Sequence, residues 1–204
     1  MFKFNAGDFV ERKEEILEAA SRVFEKYGLA KSTLEDIAKE CGIKKTALYY
    51  YFKNKEELFK TMLVKDIENI KEHVITEVDK EPDIISKIRT YLILRLNSME
   101  KMTKYFDIFR GDSASISYRD FAYQEEEKAI HFELEFLSRL INEGVSIGEL
   151  DVEYPKSLIL LVLGATYGLG HEFVCEGNEI DTEKEVDNIL KILLKGIQKK
   201  QENK

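Results

Sequence analysis

Cysteine is scarce in this sequence, and long apolar runs are missing. The two cysteines, Cys41 and Cys175, lie far apart in a chain of 204 residues, so a disulfide framework is not expected to hold the fold together. The longest apolar run, residues 158–169, is interrupted by glycine and is much shorter than the roughly 20 residues that cross a bilayer. The N-terminus lacks the apolar core of a secretory signal. We therefore expect a cytoplasmic protein without membrane contact.

Histidine is scarce as well, which argues against metal chemistry. A di-iron helical bundle needs Glu-x-x-His pairs. The residues that stand three positions before the histidines of this chain are Ile70, Lys128 and Gly168. No His-Glu-x-x-His, P-loop or Gly-x-Ser-x-Gly sequence occurs either. We predict no metal site, no cofactor and no enzymatic activity, and a helical interaction protein that binds no DNA stays open as an alternative.

Acidic residues outnumber basic ones, but not evenly along the chain. The net charge is −8, yet residues 1–60 contain 12 Lys and Arg against 11 Asp and Glu, whereas the remainder contains 19 against 28. Lys44, Lys45, Lys53 and Lys55 fall in a stretch without any acid. A locally basic segment on an acidic chain is the charge distribution expected of a DNA-reading head, because the acidic remainder turns that head toward DNA.

One short segment has the pattern of two helices joined by a glycine turn. Apolar residues recur at helical spacing from Leu34 to Cys41, and the hydroxyls of Thr33 and the serine before it allow two overlapping capping boxes. Gly42 follows, where a helix ends most easily in a left-handed residue. A second helix, 45–52, then begins without room for a loop. This order is that of the DNA-reading helix-turn-helix, whose second helix enters the major groove.

The second of these helices has a face suited to DNA. Leu48 and Phe52 are four residues apart and are the better candidates for burial, so the three tyrosines between them cannot all be core. Lys45, Thr46 and Tyr49 then project from the N-terminal half, where recognition helices contact base edges. Lysine reaches guanine O6 and N7, and a tyrosine ring packs on a thymine methyl. The alternative from spacing alone is a solvated helix pair with surface lysines.

The rest of the chain also has helical periodicity. Residues 1–10 are predicted to be a frayed arm, and 143–150 a connector punctuated by glycine. No convincing strand is found, so we predict an all-α chain. Apolar stripes, caps and breakers predict the remaining helices over residues 13–27, 55–80, 84–102, 118–142, 155–176 and from 182 onward.

Residues 13–59, about a quarter of the chain, closely resemble the N-terminal domain of the TetR family of bacterial repressors, in its AcrR-like form. The resemblance implies a DNA-binding domain over 1–54, with the helix-turn-helix at about 33–52, and a helical domain for ligand binding and dimerisation over 55–204. The matching residues are Ile16, Ala19, Ala20, Phe24, Tyr27, Gly28, Thr33, Asp36, Ile37, Ala38, Gly42, Ile43, Leu48, Tyr49, Phe52, Lys55 and Leu58.

The resemblance implies which side chains meet operator DNA. By this resemblance Lys45, Thr46 and Tyr49 would face bases. The residues that would hold phosphates are Thr33, Lys44, Tyr50, Tyr51 and Lys55. Thr46 and Lys44 depart from the residues common at their positions, which leaves the operator sequence open. The residues expected at double-stranded DNA are Thr33, Lys44, Lys45, Thr46, Ala47, Tyr49, Tyr50, Tyr51 and Lys55.

The last two long helices are the most apolar of the chain, so they are predicted to be buried, either in an ordinary core or between subunits. Members of the family dimerise through these helices, and a two-fold dimer matches a palindromic operator. The resemblance therefore favours a homodimer interface. Its candidate residues are Leu158, Leu161, Val162, Ala165, Leu169, Ile189, Leu193 and Ile197.

The middle helices are rich in large, soft side chains, which are either core or the lining of a ligand pocket. The resemblance implies a pocket here, and an apolar lining fits a small hydrophobic effector; a lipophilic cation and a fatty-acyl compound stay open. The pocket candidates are Tyr91, Met99, Met102, Tyr105, Phe106, Phe109, Phe132, Phe136, Tyr167 and His171.

These features together predict a ligand-responsive, sequence-specific transcriptional repressor. By resemblance, an effector would tilt the helix that begins at Lys55 and so change the separation of the two reading heads. Heads must match half-sites about 34–36 Å apart, so a shift of a few ångströms would release DNA. A transcriptional activator of the same fold is the alternative.

Overall fold

The helical periodicity of the sequence appears as eight α-helices in the computed structural model, which describes residues 6–102, 116–176 and 181–195. No strand occurs within these ranges, and the all-α prediction is confirmed. None of the described helices is long and apolar enough to cross a membrane. The helices are α1 (Ala6–Tyr27), α2 (Leu34–Glu40), α3 (Lys45–Leu48), α4 (Lys55–Val78), α5 (Ile84–Met102), α6 (Ile116–Ser146), α7 (Pro155–Glu176) and α8 (Thr182–Lys195).

Helix α1 begins earlier than the sequence pattern predicted. Residues 6–10 continue the helix instead of forming a frayed arm. The ring of Phe9 stacks on Tyr51, with ring centroids 4.8 Å apart, which gives this first turn a contact outside its own helix. The predicted apolar stripe is buried, with Ile16, Ala19 and Ala20 fully inaccessible to solvent. The stripe packs against α2.

The chain divides into two compact units, and the first consists of residues 1–69 and 103–129. Its described part contains α1, α2, α3, the first half of α4 and the start of α6. Aromatic side chains fill its core: the ring of Phe59 meets Phe24 edge-on at 6.5 Å and Tyr118 at 5.2 Å. The predicted boundary between residues 54 and 55 stays a prediction.

The second unit consists of residues 70–102 and 130–204. Within it α5 packs against α7 and α8, and its core includes Tyr91, Leu137 and Val162. The guanidinium of Arg89 on α5 donates to the carboxylate of Asp187 on α8 at 2.6 Å, which ties the two helices together at the surface.

Helix α6 extends to Ser146, so the predicted connector begins later than residue 143. Gly144 belongs to the last turn of the helix, and a Cβ placed on it would lie only 2.8 Å from the side chain of Leu150. The glycine therefore allows the chain after α6 to fold back closely over the helix. Glu149, in the returning segment, accepts a hydrogen bond of 2.8 Å from the backbone N–H of Ile84 at the start of α5.

Candidate functional site

Local hydrogen bonds define both ends of α2. Of the two capping boxes that the sequence offers, the structure uses Thr33 with Asp36. The backbone N–H of Asp36 donates to Thr33 Oγ1 at 3.1 Å, and the backbone N–H of Thr33 donates to Asp36 Oδ2 at 2.9 Å. Thr33 Oγ1 also donates to Asp36 Oδ2 at 2.6 Å, and this bond, followed by the one from the Thr33 backbone N–H, lowers the pKa of the Asp36 carboxyl.

Gly42 ends α2 in the left-handed conformation, at φ +68°. Its backbone N–H donates to the carbonyl of Lys39 at 3.1 Å, and that of Ile43 donates to Ala38 at 2.9 Å. These are the two bonds of a Schellman motif, which turns the chain sharply at little steric expense when the left-handed residue is glycine. Helix α3 therefore starts only three residues after Gly42 and leaves α2 at a defined angle.

The sequence prediction for the two faces of α3 is confirmed on the buried side, where Leu48 and Phe52 are inaccessible to solvent. On the outer side Lys45 and Thr46 are exposed, and Tyr49 and Tyr50 keep 49% and 83% of their surface. The structure thus brings together a lysine, a hydroxyl and two phenols on one open surface. We call Lys44, Lys45, Thr46, Tyr49 and Tyr50 the reading surface.

Helix α3 ends at Leu48, earlier than the predicted residue 52. The backbone N–H groups of Tyr50 and Tyr51 donate to carbonyls three residues back, at 3.2 and 2.9 Å, so the helix tightens after its first turn. Ala47 is half-buried under this turn. Tyr51 is half-buried too and stacks on Phe9, which separates it from the other two tyrosines of the triplet.

Lys55 has an intramolecular role that its sequence position did not reveal. Its ammonium donates to the backbone carbonyls of Leu29 at 2.7 Å and of Ser32 at 2.9 Å. Burial lowers the pKa of this amine. Both carbonyls belong to the connection between α1 and α2, so Lys55 fastens the start of α4 to that connection. We call these two bonds the Lys55 clasp; contact of Lys55 with phosphate stays an untested prediction.

Lys45 lies close to one acid. Its ammonium is 3.5 Å from Glu35 Oε2 in the first turn of α2, and both side chains are largely exposed. An exposed ion pair of this kind contributes little to stability because water and salt screen it. The lysine can therefore exchange the carboxylate for a phosphate, at the expense of leaving Glu35 beside the DNA.

Helices α7 and α8 carry large apolar side chains in contact with solvent. Of the predicted interface residues, Leu161 is 60% exposed, whereas Val162 is buried in the core of its own chain and leaves the candidate set. Leu158, Ala165, Leu169, Ile189 and Leu193 are half-buried, and Ile197 lies outside the described residues. The sequence pattern missed three further exposed residues, namely Leu160, Ile192 and Leu194.

Some pocket candidates lie in the part of the chain that the structure describes, and others lie outside it. Tyr91, Phe132, Phe136 and Tyr167 come together in the second unit, where the rings of Tyr91 and Phe136 stack with centroids 5.7 Å apart. The half-buried Met99 and Met102 follow at the end of α5. Outside the described residues lie Tyr105, Phe106, Phe109 and the side chain of His171.

Sequence reasoning missed two charged residues of this aromatic group. Arg95 on α5 and Glu133 on α6 form an ion pair that is almost completely buried, and the guanidinium lies over the ring of Tyr167 at 5.3 Å. They lie 38 positions apart, and no motif in the sequence links them. The one signal that the sequence offers is the four-residue spacing of Arg95 from Tyr91, which puts both residues on one face of a helix.

No group of His, Cys, Asp or Glu suited to a metal ion occurs among the residues that the structure describes. A surface groove of about 480 Å³ lies in the first unit, and none of the predicted pocket residues lines it. Its lysines and glutamates oppose one another in charge, so it offers no single preference for an anion or a cation. The groove is lined by Lys13, Glu14, Leu17, Lys60, Thr61, Val64, Lys65, Glu68 and Phe121.

Known proteins resemble this chain over much of its length. The family model described as bacterial regulatory proteins of the tetR family matches residues 16–62. The chain is 30% identical over 155 residues to the "Probable HTH-type transcriptional regulator ArpR" of Pseudomonas putida, covering 70% of this chain and 72% of that protein.

Solved structures share the fold. A transcriptional regulator of the TetR/AcrR family from Thermobifida fusca superposes with a TM-score of 0.72 at 24% identity, over 93% of this chain and all of that one. AibR, solved in complex with isovaleryl coenzyme A and operator DNA, superposes with a TM-score of 0.58 at 18% identity, over 89% of this chain and 97% of that one.

Proposed function

This chain belongs to the TetR family of bacterial regulatory proteins, and we propose that it is a homodimeric repressor which leaves a palindromic operator when it binds a small hydrophobic molecule. It is a ligand-responsive, DNA-binding transcriptional regulator. We further propose that residues 1–54 read DNA, that residues 55–204 dimerise and bind the effector, and that the protein catalyses no reaction. A regulator of chromosomal genes works in the cytoplasm, where we place it.

The observation that carries the proposal is the reading surface itself. A short helix is pinned from behind by Leu48 and Phe52 while Lys45 and Tyr50 face outward, and no acid occurs between residues 41 and 55. Lysine ammonium groups attract phosphate, and a phenol both donates to phosphate and packs on a thymine methyl. The lysines of this surface favour DNA over a protein partner, because lysine is depleted in protein interfaces.

Two glycines of α7 support a subunit interface. Gly164 and Gly168 lie one turn apart on the exposed side of the helix, and a Cβ placed on either would meet none of the described residues within 4 Å. Glycine inside a helix is less stable than alanine by roughly 0.5–1 kcal/mol, so intrachain packing gives no reason for it. Close approach of a second helix does, and the exposed Leu161 beside them supplies apolar surface to bury.

The effector is proposed to bind among the aromatic side chains of the second unit. AibR, which shares the fold, was solved with isovaleryl coenzyme A and operator DNA together, so a small-molecule effector acting on operator binding is a reasonable model. Binding would tilt α4 and change the spacing of the two reading surfaces. If saturating effector left the operator affinity unchanged, this mechanism would fail.

The test is fluorescence anisotropy of the purified protein with DNA from upstream of its own gene and with a pool of unrelated genomic fragments. The double variant Lys45→Ala/Tyr49→Ala is compared with Lys80→Ala/Tyr154→Ala, which removes the same residue types from exposed positions of the second unit. We expect wild type and the control variant to select one fragment over bulk DNA, and the reading-surface variant to lose this preference.

Sequence-blind binding that the Lys45→Ala/Tyr49→Ala variant retains would contradict the DNA assignment. Transcription in vitro from the selected fragment then determines the direction of regulation. A repressor lowers the yield of transcript, whereas a higher yield would identify an activator.

A further inference from the structure

Three buried polar atoms of the second unit lack hydrogen-bond partners in the part of the chain that the structure describes: Tyr91 Oη, Arg95 Nε and Glu133 Oε2. All three belong to one cluster. Tyr91 is 1% exposed and Glu133 is 8% exposed. Arg95 Nε is in ion-pair contact with the other oxygen of Glu133, without the alignment of a hydrogen bond. Native proteins contain few such atoms, so three in one place require an explanation.

The cluster raises the free energy of the protein on its own. A buried polar group without a partner is destabilising, because it has lost its hydrogen bonds to water. Burial also raises the pKa of the Glu133 carboxyl, although Arg95 opposes this shift. Burial, and then the charge of Glu133, raises the pKa of the Tyr91 hydroxyl. Tyr91 lies one turn before Arg95 on α5, and Arg95 pairs with Glu133, so geometry as well as charge groups the three side chains.

The atoms left over specify a chemical group. Glu133 Oε2 can only accept a hydrogen bond while it is ionised, and Tyr91 Oη and Arg95 Nε–H can donate. A group that donates to the carboxylate and accepts from the phenol or the guanidinium would satisfy the cluster. A hydroxyl or an amide does both. An anion would face the carboxylate of Glu133, and a cation would face Arg95 and also Lys71, which acts on Glu133 from α4.

The surroundings specify the body of the ligand. Phe136 stacks on Tyr91 and on Phe132, each with centroids 5.7 Å apart. Tyr167 lies under the guanidinium of Arg95. Aromatic rings prefer offset stacks and edge contacts with further rings. A water molecule has the required donor and acceptor, but it gains nothing from the rings.

We propose that Tyr91, Arg95 and Glu133 form the polar anchor of the effector site, and that the effector is a neutral, largely apolar aromatic molecule bearing a hydroxyl or amide group. This inference rests on the proposed function, since it names the chemical class of the effector. It disfavours the lipophilic cation that the sequence left open, because a cation would face Arg95, and it disfavours free acids, because an anion would face Glu133.

The test is isothermal titration calorimetry of the full chain, without DNA, against four matched probes: 4-butylphenol, 4-butylanisole, 4-butylbenzoate and 4-butylbenzylammonium. We expect 4-butylphenol to bind at least tenfold more tightly than each of the others. The anisole keeps the ring and an acceptor but has no donor for Glu133. Equal affinities for the phenol and the anisole would overturn the inference and leave a buried water or plain core packing in its place.

The variant Tyr91→Phe removes the hydroxyl and keeps the ring. We expect it to lose about tenfold in affinity for 4-butylphenol, and to keep or raise the melting temperature of the ligand-free protein. Glu133→Gln gives a second test of the same anchor. Tyr118→Phe, in the first unit, is the control and should change nothing. Unchanged phenol affinity in both anchor variants would contradict the anchor.

Failure of this inference and failure of the proposed function give different results. Operator binding by the ligand-free protein is measured separately by anisotropy. Selective operator binding with no preference for the phenol rejects the inference alone. Selective phenol binding that depends on Tyr91, in a protein without any operator, supports the anchor and rejects the DNA function.

Discussion

Lys44 and Lys55 offer the sharpest test of the structure, because the sequence assigns both to phosphate and the structure separates them. Lys44 is exposed at the N-terminus of α3. Lys55 is part-buried and its ammonium already donates to the carbonyls of Leu29 and Ser32. We predict that Lys55→Ala lowers stability without changing the salt dependence of DNA binding, and that Lys44→Ala does the reverse.

The size of the stability effect follows from the Lys55 clasp. A hydrogen bond to a charged group contributes about 1.5–3 kcal/mol, and the clasp has two such bonds. In the variant, water reaches the exposed side of this half-buried site and recovers part of the lost free energy. We expect Lys55→Ala to lose about 2–3 kcal/mol of the free energy of unfolding in urea. Lys44→Ala, a surface substitution, should stay within about 0.5 kcal/mol of wild type.

The effect on DNA follows from counterion release. The logarithm of the binding constant falls with the logarithm of salt concentration by about 0.9 for each phosphate neutralised. Lys44→Ala removes one contact from each head of the dimer and should lower this slope by about 1.8. Anisotropy titrations from 50 to 200 mM KCl measure this slope, under conditions in which each variant is folded. A Lys55→Ala protein of wild-type stability with a slope lowered by about 1.8 would refute the assignment.

Three shorter predictions concern other contacts. Glu35→Gln releases Lys45 from its acid and should raise operator affinity by about two- to fivefold, with a steeper salt dependence in the same titrations. Gly164→Leu should convert the dimer to monomer in light scattering and weaken operator binding at least tenfold, whereas Gly7→Leu, also in open space, should do neither. The hydrogen bonds that lower the pKa of Asp36 stabilise the fold while its carboxyl is ionised. This contribution is complete above the pKa of the unfolded state, about 3.9, and is lost as pH falls through the pKa of the folded state. Stability should therefore fall more steeply below about pH 4 in wild type than in Asp36→Asn.

The features that the sequence predicted correctly depend on short separations along the chain. The capping box joins residues three apart, the turn at Gly42 spans six residues, and the burial of Leu48 and Phe52 follows from a spacing of four. Helical geometry converts each of these separations directly into a position in space. For the same reason most helix boundaries agree with the pattern to within a few residues.

The features that sequence reasoning missed join residues that are distant along the chain. The Lys55 clasp spans 23 and 26 residues, the stack of Phe9 on Tyr51 spans 42, and the ion pair of Arg95 with Glu133 spans 38. Lysine, phenylalanine and glutamate each have many uses on a helix, and periodicity gives only the face. Which partner meets that face depends on packing, which a single sequence does not encode in any local pattern.

The shortness of α3 decides how mutants of this protein must be read. A helix of four residues cannot be stable by itself, because nucleation is unfavourable and too few hydrogen bonds follow. Its position depends on Leu48, Phe52 and the bonds that hold the segments around it. Damage to this support therefore weakens operator binding as surely as loss of a base contact does. The free energy of unfolding identifies damage to the support, and the salt slope identifies loss of a phosphate contact, because it counts the phosphates neutralised in the complexes that still form.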